Sequence, residues 1–216
     1  MTGRATNPRL ILASSSPRRK KLLAEAGFEF DVVPPAISEP DYGPTQLSPR
    51  QQAESLAYFK ARVVAEQYPQ GRVLAADTIV AADGRVLGKA ADRNEAAAML
   101  ATLSGTRHAV ITAVVILGPG QTRLIASEIS YVTMRKISKE QIEAYIELGE
   151  WSGKAGAYAI QETADKFIEK IEGSFTNVVG LPMELLDRML AELKTHPQVH
   201  KKSQLNGAGA VQQGEK

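Results

Sequence analysis

Cysteine is absent from the 216-residue chain, which excludes disulfides, thiolate nucleophiles and cysteine-ligated metals. Histidine is scarce: three in all, two of them close to the C-terminal end, so a histidine zinc site is not expected. Charge of one sign is lacking too. Twenty-six Lys and Arg against 24 Asp and Glu leave +2, and no basic stripe with interleaved aromatics appears, so nucleic acid is not an expected partner. No apolar run approaches the roughly 20 residues of a membrane helix. Met1 to Arg9 lacks the long apolar core of a signal peptide. The expectation is a cytoplasmic protein with no membrane partner. What remains is ordinary: 44% hydrophobic and 23% charged residues, enough for one substantial core. A single domain over residues 1–194 is expected, followed by a disordered polar tail over 195–216.

Local signals divide the chain into alternating strands and helices. Leu10 to Leu12 read as a buried strand, ended by Ser14, Ser15 and Ser16; Ser16 then caps a helix with Pro17 at its first position and Gly27 beyond its end. Phe28 to Val33 alternate as a second strand, and Ala36 to Leu47 read as a loop. Ser48-Pro49 open a helix running to about Glu66, and Arg72 to Ala81 form a nearly continuous apolar strand. Asp83-Gly84 signal a hairpin returning to Lys89. Asp92 with Glu95, and Ser138 with Gln141, are capping pairs for two further helices. His108 to Leu117 and Thr122 to Met134 read as a hairpin. Trp151 to Gln161 read as a Gly-rich loop feeding a short strand, Phe167 to Ile171 as a strand, and Gly180-Leu181-Pro182 as the start of a last helix. This alternation predicts an α/β domain with a mixed sheet.

Several polar residues stand out against that background. Arg18 and Arg19 occupy the first turn of a helix, where the dipole favours anions over cations. Either they await an anion beside the hydroxyls of Ser14 and Ser16, or they are solvated. Asp77 sits mid-strand among apolar neighbours and must be paired, protonated or metal-bound, or else mark a strand break. Lys60 shares a helical stripe with Leu56 and Val64; snorkelling along apolar surface is the simpler reading, and reaching a cleft the alternative. The hairpin returns Lys89 towards Asp77, though the two could face opposite sides. Glu39 on its own reads as a solvated loop residue.

Taken together, Ala13-Ser14-Ser15-Ser16-Pro17-Arg18-Arg19, Ala76-Asp77-Thr78-Ile79-Val80, Leu87-Gly88-Lys89, Lys154 to Gln161 and Asn177 to Pro182 resemble, in order, the motifs of the Maf family. The resemblance covers about Leu10 to Leu193. It implies a nucleoside triphosphate pyrophosphatase that uses a divalent cation, Mg²⁺ or Mn²⁺. It also implies an elongated mixed sheet flanked by helices, with two lobes around a cleft, as in inosine triphosphate pyrophosphatases; a homodimer is compatible with it. By motif position Asp77 matches the proton acceptor and Glu39 joins it as a metal ligand. Arg18, Lys60 and Lys89 match polar active-site residues, and Arg18, Thr78 and Gln161 match positions tied to substrate choice. Gln161 suits the O4 and N3–H edge of uracil or thymine, which implies dTTP and UTP over 7-methyl-GTP. A nucleotide-binding regulator of cell division without turnover is the alternative. Ala90 after Lys89, Gly153 before Lys154 and Glu162 after Gln161 depart from the family pattern.

Overall fold

A computed structural model describes residues 9–37, 47–161 and 163–195. Glu39, Glu162 and residues 196–216 lie outside the described residues, so the metal-ligand expectation at Glu39 and the tail expectation fall there.

The framework is a seven-stranded sheet of β1 (Leu10–Leu12), β2 (Phe30–Val32), β3 (Arg72–Ala82), β4 (Arg85–Leu87), β5 (Arg107–Gly118), β6 (Thr122–Met134) and β7 (Ile168–Glu172), in the order β2-β1-β3-β5-β6-β7 with β4 beside β3. β1 runs parallel to both β2 and β3, and every other pairing is antiparallel. The sheet is therefore mixed, as expected. It is also long, because β6 spans 13 residues, about 40 Å at the usual rise.

Strand alternation assigns the two faces. Val73, Ala75 and Ile79 of β3 join a core under α2 (Pro49–Gln67), together with Ala53, Ala57 and Val64 of that helix. On the opposite face the cover is split. Leu74 and Ala76 lie beneath α1 (Pro17–Glu25) and α6 (Met183–Thr195). Val80 and Ala82 lie beneath α3 (Arg93–Leu103) and α4 (Lys139–Glu147), with Tyr158, Ile160 and Phe167. The two halves of this cover are the two lobes, and they part at the middle of β3.

Capping decides where the helices begin. The Ser48–Gln51 and Ser138–Gln141 boxes both form, and Asp92 accepts from the Glu95 N–H. Two expectations need correction. No strand forms before Gln161: Ala157 and Gln161 have φ of +59° and +79°, and such left-handed turns break an extended run. The stretch before Gly180 holds an unexpected helix, α5 (Phe175–Val179), capped by Ser174. Between them lies a 3₁₀ turn, Thr163–Phe167. Among the described residues no helix is long and apolar enough to cross a membrane.

Candidate active site

The site opens where β3 loses its neighbour. β1 pairs with β3 only as far as Leu12 opposite Leu74, with one further hydrogen bond from the Ala13 N–H to the Leu74 carbonyl. β4 begins pairing at Val80. Between these points the ladder edge of β3 is bare among the described residues, and Asp77 and Thr78 sit in the gap. A crevice at the carboxyl end of a parallel strand such as β1 is where open α/β sheets bind ligands. The cavity there measures about 500 Å³, within the range of small-molecule sites.

Each wall has a local cause. The turn after β1 supplies Ser14 and Ser16, and the first turn of α1 supplies Arg18 and Arg19. Ser16 caps α1 while its own N–H donates to Ser14 Oγ at 3.2 Å, which folds the hydroxyl turn back on itself. The two guanidiniums reach across to the C-terminal end of α5. Arg18 Nε donates to the Val179 carbonyl at 3.2 Å, and Arg19 Nε to the Gly180 carbonyl at 2.7 Å. Those carbonyls belong to the last turn of a helix, where peptide oxygens lack intrahelical partners. The first-turn arginines of one helix thus satisfy the end of another.

Lys60 does not snorkel. Its ammonium lies 2.5 Å from Asp77 Oδ1, and both residues are buried, at 8% and 7% exposure. The α2 stripe points at the sheet, so a lysine on that stripe meets β3 before it meets water. A buried ion pair contributes little net stability, because desolvating both partners offsets their attraction. Its retention in an otherwise apolar layer therefore points to chemistry.

Lys89 reaches the same cavity from beyond β4, so the hairpin does return it to the side of Asp77. The 151–160 loop closes the far wall. It is fastened by an antiparallel bridge between Lys89 and Ala155, and by the Gly156 N–H donating to the Gly88 carbonyl at 2.9 Å. That fastening carries Lys154, 9% exposed, into the lining. Lys154 is a lining cation to which its sequence motif assigns no role; its only local signal is a place in a Gly-rich loop.

Gln161 is not brought to the cavity. Ile160 lines it, but Gln161 is exposed and its N–H donates to Asp165 Oδ1 at 2.8 Å. Tyr158 also lines the cavity, and its hydroxyl lies 2.8 Å from Nε2 of the buried His108. Burial pushes the His108 imidazole down to about 4 and the Tyr158 phenol up, so both are neutral near pH 7.

Among the described residues the lining carries Arg18, Arg19, Lys60, Lys89 and Lys154 against one carboxylate, Asp77, which is five positive charges less one, or +4. A group of three or more His, Asp or Glu able to hold a metal is absent among them. The arrangement attracts a multiply charged anion.

Residues 9–193 match the family model described as Maf-like protein. The chain belongs to the Maf family. Curated Maf relatives include a dTTP/UTP pyrophosphatase of Symbiobacterium thermophilum, 48% identical over 183 residues, covering 85% of this chain and 93% of that one. Another dTTP/UTP pyrophosphatase, from Ruminiclostridium cellulolyticum, is 42% identical over 185 residues, covering 85% and 95%. Among solved structures, the Staphylococcus aureus Ham1 protein aligns over 85% of this Maf chain and 98% of its own, with a TM-score of 0.49 and 14% identity.

Proposed function

We propose that this Maf protein is a nucleoside triphosphate pyrophosphatase that cleaves dTTP and UTP to the monophosphate and pyrophosphate. The observation that carries the reading is the lining of +4 among the described residues, set around the buried carboxylate of Asp77. A nucleoside triphosphate bears about four negative charges, and catalysis of phosphoryl transfer consists mainly of placing and offsetting them. The names of the curated relatives support the same activity.

In this reading Arg18, Lys89 and Lys154 hold phosphate oxygens, while the hydroxyls of Ser14 and Ser16 line the floor beside them. The Lys60 ammonium, in contact with Asp77 Oδ1, holds that carboxylate in place at the gap in the sheet. Asp77 then accepts a proton from the water that opens the bond between the α- and β-phosphates; the water's oxygen goes to phosphorus and pyrophosphate departs. A divalent cation fits this donor set when it arrives with the nucleotide, because Mg²⁺ is held by one or two carboxylates plus substrate phosphates. Asp77 would hold it, joined by Glu39 from the family motif, and it would supply further offset of phosphate charge. In this reading Gln161 selects the base, because its amide matches O4 and N3–H of the pyrimidine; to do so it has to move in from the exposed position it holds outside the lining.

The test is pyrophosphate release from dTTP, UTP and 7-methyl-GTP, with and without Mg²⁺. Asp77→Asn keeps the shape of the side chain and lowers kcat by about a thousandfold or more. Unchanged turnover in a correctly folded Asp77→Asn variant rules this mechanism out.

A further inference from the structure

The guanidinium of Arg19 is held by three segments at once. Nε donates to the Gly180 carbonyl at 2.7 Å, Nη1 to Ser14 Oγ at 3.3 Å, and Nη2 to Thr78 Oγ1 at 3.1 Å. Thr78 of β3 lies directly opposite Thr112 of β5, and their hydroxyl oxygens are 2.9 Å apart. Thr112 Oγ1 is also 2.9 Å from the Asn177 carbonyl.

Proton counting settles the direction of this row. A carbonyl only accepts, so the Thr112 hydroxyl donates to Asn177. Each hydroxyl carries one proton. Thr112 has spent its own, so Thr78 must donate to Thr112, and Thr78 then meets Arg19 as an acceptor. The row runs one way, from Arg19 to Thr78 to Thr112 to the Asn177 carbonyl. Thr112 is wholly buried and does not line the cavity. At its far end the row joins α5, whose last carbonyl, at Val179, receives Arg18, and whose C-cap carbonyl, at Gly180, receives Arg19. The loop of contacts is closed on itself: each arginine rests on α5, and α5 is fastened to the sheet by Thr112.

We propose that Thr112 is a positioning residue for the arginine pair: by accepting from Thr78 and donating to Asn177 it turns the Thr78 hydroxyl proton away from Arg19, leaving a lone pair aimed at the guanidinium, and it holds α5 beneath both guanidiniums. Neighbouring polar groups do not duplicate this. The Asn177 side chain donates to the Val110 carbonyl at 3.0 Å and to Ser130 Oγ at 2.9 Å, and Ser130 donates to the Ser174 carbonyl. These bonds seat α5 but touch neither threonine. Valine at position 112 keeps the branched shape and removes the donor. It leaves the Asn177 carbonyl with the Gly180 N–H as its remaining donor, unfastens α5 from β5 at this point, lets the Thr78 hydroxyl rotate, and loosens the acceptor that meets Arg19.

The inference rests on the pyrophosphatase reading, and the test separates the two. Steady-state kinetics with UTP are measured for the wild type and for Thr112→Val, Thr112→Ser and Ser130→Ala, alongside calorimetric binding of inorganic triphosphate and thermal unfolding. Thr112→Val is expected to raise KM and the triphosphate Kd about tenfold, with kcat much less affected. Thr112→Ser restores both constants. Ser130→Ala loosens α5 but leaves the threonine row intact, so it lowers the unfolding temperature and raises both constants much less than Thr112→Val does. Thr112→Ala replaces the valine variant if the latter does not fold. A folded Thr112→Val or Thr112→Ala protein with KM and Kd within twofold of wild type overturns the proposal, as does an equal rise in Ser130→Ala. If wild type fails to cleave UTP, the functional reading falls, and the triphosphate Kd values still judge Thr112.

Discussion

Lys60 and Asp77 show how little a single residue reveals of its partner. Each is odd in its own segment, a lysine on an apolar stripe and a carboxylate in an apolar strand. The strand oddity was legible because burying an unpaired carboxylate costs several kcal/mol, on the order of the whole stability of a domain. The lysine oddity had a bland explanation available, since a long stem can reach water from many places. Only the approach of α2 to β3 decides between them. His108 is another buried polar residue, and its titration is predictable. Its folded-state value of about 4 lies below the 6.5 of an exposed imidazole, so the unfolded chain binds a proton first as pH falls. The stability it allows is complete above pH 6.5 and is lost as pH falls towards 4. By pH 5 the loss is about 2 kcal/mol. Urea unfolding at pH 7 and pH 5 should show a smaller drop for His108→Gln than for wild type; equal drops refute the assignment.

At the level of elements, the 151–160 loop was recognisable as a place where backbone comes close to something. The partner was not. Glycine at 156 serves contact with β3 and the Gly88 strand end: at φ +68° an added Cβ would sit 3.1 Å from both γ-carbons of Val80. Gly156→Ala should therefore cost about 1–3 kcal/mol, push the loop off the sheet, and raise KM by moving Lys154 out of the wall. Thermal unfolding together with UTP kinetics checks both; a lowered unfolding temperature with unchanged KM removes the loop from substrate binding. The short strand expected in this loop failed for the same reason that α5 went unnoticed. Five residues of helix and a turn with two left-handed residues are both too brief to show a period. α5 exists because Ser174 caps it and Asn177 fastens it to β5 and β6.

Over the whole molecule, the cavity is assembled from the β1–α1 turn, α2, β3, the strand end after β4, the 151–160 loop and the end of α5. The chain is almost neutral at +2, yet this one lining carries +4 among the described residues. Charge separation on that scale comes from folding and has no trace in composition. Because the Debye length shrinks from about 14 to about 7 Å between 50 and 200 mM salt, KM for UTP should rise with sodium chloride while kcat changes little. A flat KM across that range would mean that the cations do not act on the triphosphate.

Interactions that close within four residues were settled by sequence alone: the Ser48–Gln51 and Ser138–Gln141 boxes and the Asp83-Gly84 hairpin; the continuous apolar run of β3 was equally plain. Asp77 was visible on the same terms, as a charge in the wrong surroundings. The tertiary structure decided which cations meet it, because Lys60 finds Asp77 across 17 residues and Arg19 finds Gly180 across 161. Capping and periodicity act through neighbouring backbone groups, whereas a cavity is made wherever a strand ends early and distant side chains are left to fill the gap.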